Sequence, residues 1–230
     1  MSQQNITVLL PAYNEGDRIQ STIDALRSSQ YVNRIVVIDD GSKDDTFSIA
    51  QKSGAIVYRL DKNRGKGYAI QYGVQKVIVD SDVIVFLDAD LADTAREVDK
   101  LLLPLLENKA DVTIAKFPPA KKKGGFGLVK NLAKFGVRFY TGHTIHTSLS
   151  GQRAFRAQVL KNIPHISAGY GIEVGMTIDI LNMGFRIQEV EVNMTHRETG
   201  RNLKGFIHRG KQFCHILITL LRKFKEVKKG

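Results

Sequence analysis

Cysteine and tryptophan are nearly absent from this sequence of 230 residues: Cys214 is the single cysteine, and there is no tryptophan. One cysteine excludes an intrachain disulfide, so the chain lacks the disulfide framework of a small secreted domain. We interpret Cys214 as a small packed thiol rather than as a nucleophile. These features favour a reducing compartment and a fold that depends on its hydrophobic core.

Long apolar runs are missing as well. No uninterrupted stretch approaches the roughly 18 residues that a membrane-spanning helix needs. The amino terminus has no basic segment and reaches Pro11 too early for a signal peptide. The sequence therefore predicts a cytoplasmic protein, with the inner face of the cell membrane as the alternative location. The glycosylation sequons at Asn5 and Asn193 are attributed to chance.

Acidic residues are scarce in two basic segments. Seven basic residues and no acid occur from Lys116 to Arg138, and nine basic residues accompany Glu226 alone from Arg201 onward. The net charge is +11, so the rest of the chain is mildly acidic. This distribution predicts an anionic partner, either a phosphate substrate, a membrane surface or nucleic acid. Nucleic acid is not expected, because the basic segments lack aromatic residues spaced for base stacking.

The residues that are present indicate an α/β fold. Hydrophobic residues make up 43% of the chain, enough for one large domain or two small ones. Continuous Val/Ile runs separated by helical stretches predict a mostly parallel sheet flanked by helices on both faces. Strands are predicted at Ile6–Leu10, Arg34–Ile38, Ala55–Arg59, Val83–Leu87 and Val112–Ala115, and helices at Asp17–Ser28, Asp44–Ser53, Gly67–Val79 and Thr94–Glu107.

The second half is less regular. Leu128–Tyr140 predicts an amphipathic helix with Lys130, Lys134 and Arg138 on a polar face. A further helix is expected within Ala168–Met183, a strand at Arg186–Met194 and an amphipathic helix over Leu203–Val227. The apolar faces of the first and last helices fit either contact with an anionic bilayer or packing in the core.

Polar clusters follow three of the predicted strands. They are Pro11–Glu15, Asp39–Ser42 and Asp88–Asp90. Ligands bind to parallel sheets beyond the carboxyl ends of the strands. We therefore expect one site at this edge of the sheet.

Asp88 and Asp90 are the candidate metal ligands. They are two residues apart at a strand end, so their carboxylates can point to the same side. Hard oxygen ligands suit Mg²⁺ or Mn²⁺, which usually keeps positions open for water and phosphate oxygens. The alternative to metal binding is a solvated loop or a helix cap. For Asp93 we keep this alternative and expect it to cap the next helix.

The 63–67 segment, NRGKG, is a candidate phosphate contact. Its glycines allow close backbone approach, and Lys66 supplies a mobile cation for a diphosphate, although a solvated turn fits equally. Asp39 and Asp40 can accept hydrogen bonds from a nucleobase or ribose, or can stabilise the turn at Gly41.

These motifs together resemble family 2 glycosyltransferases of the GT-A fold. The matching segments are TVLLPAYNE (7–15), VVIDDGSKDDT (36–46), NRGKG (63–67) and FLDAD (86–90). The resemblance implies a nucleotide-diphospho-sugar donor, UDP- or GDP-linked, and a Mn²⁺ or Mg²⁺ cofactor. It implies donor contacts from Pro11, Ala12, Tyr13, Glu15, Asp40, Lys66, Asp88 and Ala89.

The acceptor half resembles two groups of that family. SLSGQRAF (148–155) is similar to a segment of polyprenyl-phosphate sugar transferases, and HRETGRNLK (196–204) resembles both their arginine-rich loop and a motif of glucosyl-3-phosphoglycerate synthases. Both groups use phosphorylated acceptors. The resemblance implies acceptor contacts from Ser150, Gly151, Arg153, Arg197 and Arg201.

Two further residues, His196 and Glu173, each have two possible roles in the predicted site. His196 is either a third metal ligand beside Asp88 and Asp90 or a structural histidine. Glu173 can deprotonate a hydroxyl acceptor or position the sugar, whereas a phosphate acceptor is already ionised and needs no base. Asp90, Glu173 and Arg153 are the residues expected to act in catalysis.

The predicted protein is a metal-dependent hexosyltransferase with a polyprenyl-phosphate or other membrane-associated acceptor. A soluble phosphorylated acceptor and a non-catalytic binding module are the alternatives. The predicted domain spans residues 1–200, with a donor half at 1–115 and an acceptor half at 116–200, followed by a basic helix at 201–230. The sequence leaves a homodimer open.

Overall fold

The computed structural model describes residues 4–118, 127–163, 171–195 and 203–227, and in the last range side chains from Gly210 to Phe224. The described strands are β1 (Ile6–Ala12), β2 (Arg34–Asp39), β3 (Ile56–Arg59), β4 (Val83–Phe86), β5 (Val112–Lys116), β6 (Arg153–Arg156) and β7 (Ile187–Glu191). The described α-helices are α1 (Gly16–Arg27), α2 (Thr46–Lys52), α3 (Lys66–Val77), α4 (Val98–Leu106), α5 (Leu128–Thr141), α6 (Ala157–Asn162), α7 (Ile172–Asn182) and α8 (Leu203–Val227).

The strands form one seven-stranded sheet in the order β3-β2-β1-β4-β6-β5-β7. Pairings are parallel except that β6 runs antiparallel to both β4 and β5. The prediction of a mostly parallel sheet is therefore confirmed. Strand β6 and helix α6 are absent from the prediction, because the β6 sequence RAFR carries two arginines and has no apolar run.

Helices cover both faces of this sheet, as predicted. Along β1, Leu9 packs with α3, α5 and α7 in one apolar cluster, whereas Val8 and Leu10 pack with α1 and α4 in the other. This alternation is the period of two expected for a strand between two helical layers.

Several boundaries differ from the predicted ones. The predicted helix at Thr94–Glu107 begins with a 3-10 helix at Ala92–Glu97, and α4 follows it. Helix α2 starts at Thr46 rather than Asp44, because the Asp44 carboxylate accepts a hydrogen bond from the Thr46 N–H, at 3.1 Å. The last strand is shorter than Arg186–Met194 and covers Ile187–Glu191.

Helix α8 packs across α5 and α7. A side chain at Gly136 of α5 would collide with Leu220 of α8, so this glycine allows close approach of the two helices. The Tyr140 hydroxyl donates to the Leu220 carbonyl at 2.7 Å, and Lys223 pairs with Asp179 of α7 at 2.7 Å. Among the described helices, none is both long enough and apolar enough to cross a bilayer.

Candidate active site

The loops after β1 and β2 interlock at the carboxyl edge of the sheet. The Asn14 N–H donates to Ser42 Oγ at 3.0 Å, and Asn14 Oδ1 accepts from the Lys43 N–H at 2.8 Å. Asn14 has a φ of 55°, a left-handed conformation that asparagine tolerates better than most residues. The Glu15 N–H donates to Thr46 Oγ1 at 2.8 Å, so both loops are fixed to the start of α2.

An open cleft of about 700 Å³ lies beside these loops. Tyr13 stands at its edge with 40% of its surface exposed, and an exposed aromatic ring is suited to stacking on a planar base. Pro11 and Ala12 end β1 next to the cleft, and the Ala12 carbonyl accepts from the Asp40 N–H at 2.8 Å. The cleft is lined by Tyr13, Gly41, Ser42, Lys43, Arg59, Leu60, Asp61, Lys62 and Asn63.

The two aspartates after β2 hold backbone groups in place. The Asp40 carboxylate accepts from the N–H groups of Arg64 and Gly65, at 2.8 and 2.7 Å, and so fixes the loop that carries Lys66. Asp39 accepts from the Ser42 N–H at 2.9 Å and pairs with Arg59 at 3.2 Å. Both carboxylates are buried, so they contribute to the site by fixing the backbone of its loops.

The segment from Asp88 to Asp90 is held from below by Thr22 of α1. The fully buried Thr22 hydroxyl donates to the Ala89 carbonyl at 2.9 Å and accepts from the Ala92 N–H at 2.8 Å. Arg18 donates to the Asp90 carbonyl at 3.2 Å. Sequence reasoning missed Thr22, because its position in the chain matches the apolar face of a helix.

A lysine lies among the acids at the end of β4. Lys66 pairs with Asp88, and Gln152 donates its side-chain amide to the other Asp88 oxygen. Burial of the ammonium end alone would lower the pKa of Lys66, but Asp88, Glu173 and Asp90 raise it above its ordinary value. We call Lys66, Asp88, Asp90, Gln152 and Glu173 the carboxylate cluster.

Gly151 leaves room for this cluster. A Cβ at Gly151 would stand 2.7 Å from Lys66 Nζ and 3.8 Å from Glu173 Oε1. Gln152 beside it is buried, and its side-chain oxygen Oε1 accepts from Ser150 Oγ at 3.3 Å. The structure therefore brings the predicted donor residues Lys66 and Asp88 against the predicted acceptor segment. Sequence reasoning assigned no role to Gln152.

Arg153 is buried beneath the acceptor segment. Its guanidinium donates to the carbonyls of Ser150 and Ser148, both at 2.7 Å, and to Thr177 Oγ1 at 3.0 Å. Burial lowers its pKa to about 10, against the opposing effect of Glu173, so Arg153 is a cation at neutral pH. With 1% of its surface exposed, it is placed to hold the segment in position rather than to touch an acceptor.

The remaining candidates bear on metal binding. Glu173 lies in the first turn of α7, half-buried, next to Lys66 and Arg153. Within the described ranges no group of three His, Cys, Asp or Glu side chains is arranged to hold a metal ion. The oxygens of Asp88 and Asp90 at the open end of β4 still fit a Mg²⁺ or Mn²⁺ ion that takes its other ligands from phosphate and water. His196, Arg197 and Arg201 lie outside the described residues.

Comparison with known proteins covers both halves of this site. Residues 7–164 match the profile of glycosyl transferase family 2. The chain is 32% identical over 206 residues to an uncharacterized protein of Methanocaldococcus jannaschii, across 86% of this chain and 84% of that protein. It is 28% identical over 221 residues to polyprenol monophosphomannose synthase of Mycolicibacterium smegmatis, across 86% and 80% of the two chains.

The fold is also similar to a solved structure. Glucosyl-3-phosphoglycerate synthase from Mycobacterium tuberculosis, in complex with Mn²⁺, UDP-glucose and phosphoglyceric acid, superposes with a TM-score of 0.77 at 29% identity. The superposition covers 95% of this chain and 79% of the synthase. The predicted GT-A fold is thereby confirmed.

Proposed function

This chain belongs to glycosyl transferase family 2 and is a glycosyltransferase with a nucleotide-sugar donor, and we propose that it acts on a polyprenyl phosphate with a divalent metal. The observation that carries the proposal is the carboxylate cluster, where the donor segments meet the acceptor segment around Lys66. The enzyme prediction is confirmed by the family match, so the non-catalytic alternative is set aside.

The donor nucleotide is proposed to occupy the cleft beside Tyr13, with its diphosphate directed toward Lys66. The cleft volume of about 700 Å³ is ample for a nucleoside diphosphate. Lys66 keeps its positive charge at neutral pH because the neighbouring acids raise its pKa. It can therefore exchange its contact with Asp88 for contact with a phosphate.

A divalent metal is proposed to bind Asp88 and Asp90. Such an ion acts as a Lewis acid and offsets the charge of the leaving diphosphate. Gln152 fixes the orientation of the Asp88 carboxylate, and Thr22 and Arg18 fix the backbone of Ala89 and Asp90. The related synthase was crystallised with Mn²⁺ and UDP-glucose, which supports this assignment.

The acceptor is proposed to be a phosphate on a polyprenyl chain. A phosphate oxygen is already ionised, so no general base is required, and Glu173 is free to orient Lys66 and Arg153. The similarity to polyprenol monophosphomannose synthase over 86% of this chain supports a lipid-linked acceptor. A soluble phosphorylated acceptor is the second candidate, favoured by the likeness to a synthase crystallised with phosphoglyceric acid.

A transfer assay separates the two acceptors. Radiolabelled UDP-glucose, UDP-N-acetylglucosamine and GDP-mannose would each be incubated with Mn²⁺ and either undecaprenyl phosphate or 3-phosphoglycerate. We expect label in the lipid extract for one donor, and loss of that label with EDTA because the diphosphate charge is then uncompensated. Label only in phosphoglycerate would favour the second candidate, and metal-independent transfer would contradict the metal assignment.

Thr22→Val tests whether the buried hydroxyl supports the metal-binding segment. Losing the hydrogen bonds to Ala89 and Ala92 should weaken Mn²⁺-dependent UDP binding by about 10-fold or more, as for other groups that orient metal ligands. Calorimetric titration measures this. Thr7→Val is the matched control. Thr7 is equally buried and is hydrogen-bonded to Ser81, but it lies near the amino end of β1, at the edge of the sheet away from the site. Equal weakening in both variants would contradict the assignment.

A further inference from the structure

Exposed apolar side chains are concentrated on two helices that touch each other. Of the twelve large hydrophobic side chains exposed in the described part of the chain, seven lie on α5 and α8. Phe135 and Phe139 are 66% and 62% exposed, and Leu221 is 56% exposed. Single exposed apolar residues are ordinary on protein surfaces, but a cluster of this kind marks an interaction site.

On α5 the exposed apolar side chains form one stripe. Leu128, Phe135 and Phe139 repeat at helical spacing, and the rings of Phe135 and Phe139 stack with centroids 6.1 Å apart. Around the circumference of α5, this stripe lies between a buried side and a basic side. The buried side carries Gly136 and Val137 and faces the core and α8.

Helix α8 repeats this arrangement. Ile216 and Leu220 are buried against the protein, and Leu217, Leu221 and Phe224 follow on the neighbouring, exposed arc. Around the circumference of α8, the exposed arc begins beside Leu220, the residue that packs on Gly136 of α5. Both apolar arcs therefore start at the α5–α8 contact and extend outward from it, since the inward side of each helix is occupied by the core. They form one continuous surface, the α5–α8 face.

Basic residues border this face on both sides. Lys130, Lys134 and Arg138 follow one another at i+4 spacing along the outer side of α5, and Lys211 and Arg222 lie on the outer side of α8. Neither α5 nor residues 210–224 of α8 contain an acid. An apolar centre with cationic borders is the pattern of helices that lie in the headgroup region of a bilayer.

We propose that the α5–α8 face docks on an anionic lipid bilayer, with the aromatic and leucine side chains at the acyl boundary and the basic borders on lipid phosphates. Each Lys or Arg near such a surface adds to the electrostatic attraction toward the anionic headgroups. A second copy of the chain is disfavoured as the occupant, because two such faces would bring like charges together at their borders. Nucleic acid would leave the apolar centre uncovered.

Helix α8 connects this face to the acceptor side of the site, because the side of α8 opposite the face contacts the start of α7. Helix α8 contacts Gly171 at the start of α7, with the His215 carbonyl 3.0 Å from where a Cβ would stand. Glu173 follows two residues later, within reach of Lys66. Docking on a bilayer would therefore hold the start of α7, on the acceptor side of the site, about one helix diameter from the membrane. This consequence for catalysis rests on the proposed polyprenyl-phosphate acceptor, whereas the docking itself does not.

Vesicle sedimentation of the full chain tests the docking. We expect binding to phosphatidylglycerol vesicles at low salt, weak binding to phosphatidylcholine vesicles, and release at high salt because the charges are then screened. The double variant Phe135→Ser/Phe139→Ser should lower the partition coefficient by about 10-fold or more. The matched control, Val79→Ser/Met183→Ser, replaces two exposed apolar residues elsewhere and should bind normally.

Two results would overturn the proposal: no binding of the unchanged protein to phosphatidylglycerol, or equal binding of all three proteins. A dimer that dissociates only in the double phenylalanine variant would assign the face to a second copy. An assay of transfer to a short, water-soluble prenyl phosphate distinguishes failure of the docking proposal from failure of the proposed function. Normal transfer by a variant that no longer binds vesicles isolates docking, whereas vesicle binding without transfer to any prenyl phosphate leaves docking intact and contradicts the acceptor.

Discussion

Asp90→Ala should lower kcat/KM for sugar transfer by about 100- to 1000-fold, the range found when one group that stabilises developing charge is removed. The carboxylate stands at the open end of β4 beside Asp88, where the metal and the leaving diphosphate are proposed to lie. Its backbone carbonyl is held independently by Arg18, so the segment should keep its shape when the side chain is removed. Steady-state kinetics with saturating Mn²⁺ measure the loss.

Asp93→Ala is the matched control for this experiment. Asp93 is exposed and lies three residues further along the same segment, and its replacement by alanine removes the same charge. We expect it to retain transfer near the level of the unchanged enzyme, since the sequence assigns it to the following helical turn rather than to the metal. An equal loss in both variants would indicate a general electrostatic effect and contradict the metal role of Asp90. Melting temperatures of both variants should stay near that of the parent protein.

The donor side of the site was predictable because its motifs are local. Pro11–Glu15, Asp39–Ser42 and Asp88–Asp90 each follow an apolar strand directly, and parallel strands bring their carboxyl ends to one edge. The roles of the aspartates were less predictable. Asp40 was expected to contact the nucleoside, and its carboxylate in fact holds the N–H groups of Arg64 and Gly65. The direct contact with a nucleoside stays a prediction.

The supporting residues escaped prediction because their partners are distant in sequence. Thr22 and Ala89 are separated by 67 residues, and Gln152 and Asp88 by 64. No periodicity or spacing within either segment encodes these contacts. They arise only when α1 packs under the end of β4 and when β6 pairs antiparallel with it. The strand β6 was itself missed, so the neighbours of Gln152 had no predicted position.

Arg153 illustrates a related limit of sequence reasoning. An arginine beside Ser150 and Gly151 suggested a charge that clamps an acceptor phosphate. Strand β6, however, points this side chain into the protein, where three internal acceptors surround it. Residue type alone does not distinguish a charge that contacts a ligand from one that holds a loop, and burial decides between them. The contact with an acceptor stays a prediction that the geometry disfavours.

Arg153→Met should therefore destabilise the protein by about 3 kcal/mol or more. The substitution leaves the carbonyls of Ser148 and Ser150 and the Thr177 hydroxyl without their donor, and each buried unsatisfied group costs about 1–3 kcal/mol. Arg153→Lys should recover little of the lost stability, because a compact ammonium group cannot reach three acceptors arranged for a planar guanidinium. Urea unfolding, followed by circular dichroism, gives the free energy of unfolding for each variant.

Arg156→Met on the same strand provides the comparison. Arg156 is only partly buried and donates to the Leu105 carbonyl and Asn108 near the surface, so its loss should cost about 1 kcal/mol. Kinetics then separate the two roles of Arg153. A positioning role predicts lower stability together with lower kcat, because the 148–151 segment no longer holds Lys66 and Glu173 in register. Unchanged stability with a raised KM for the acceptor alone would instead return Arg153 to the role of a phosphate ligand.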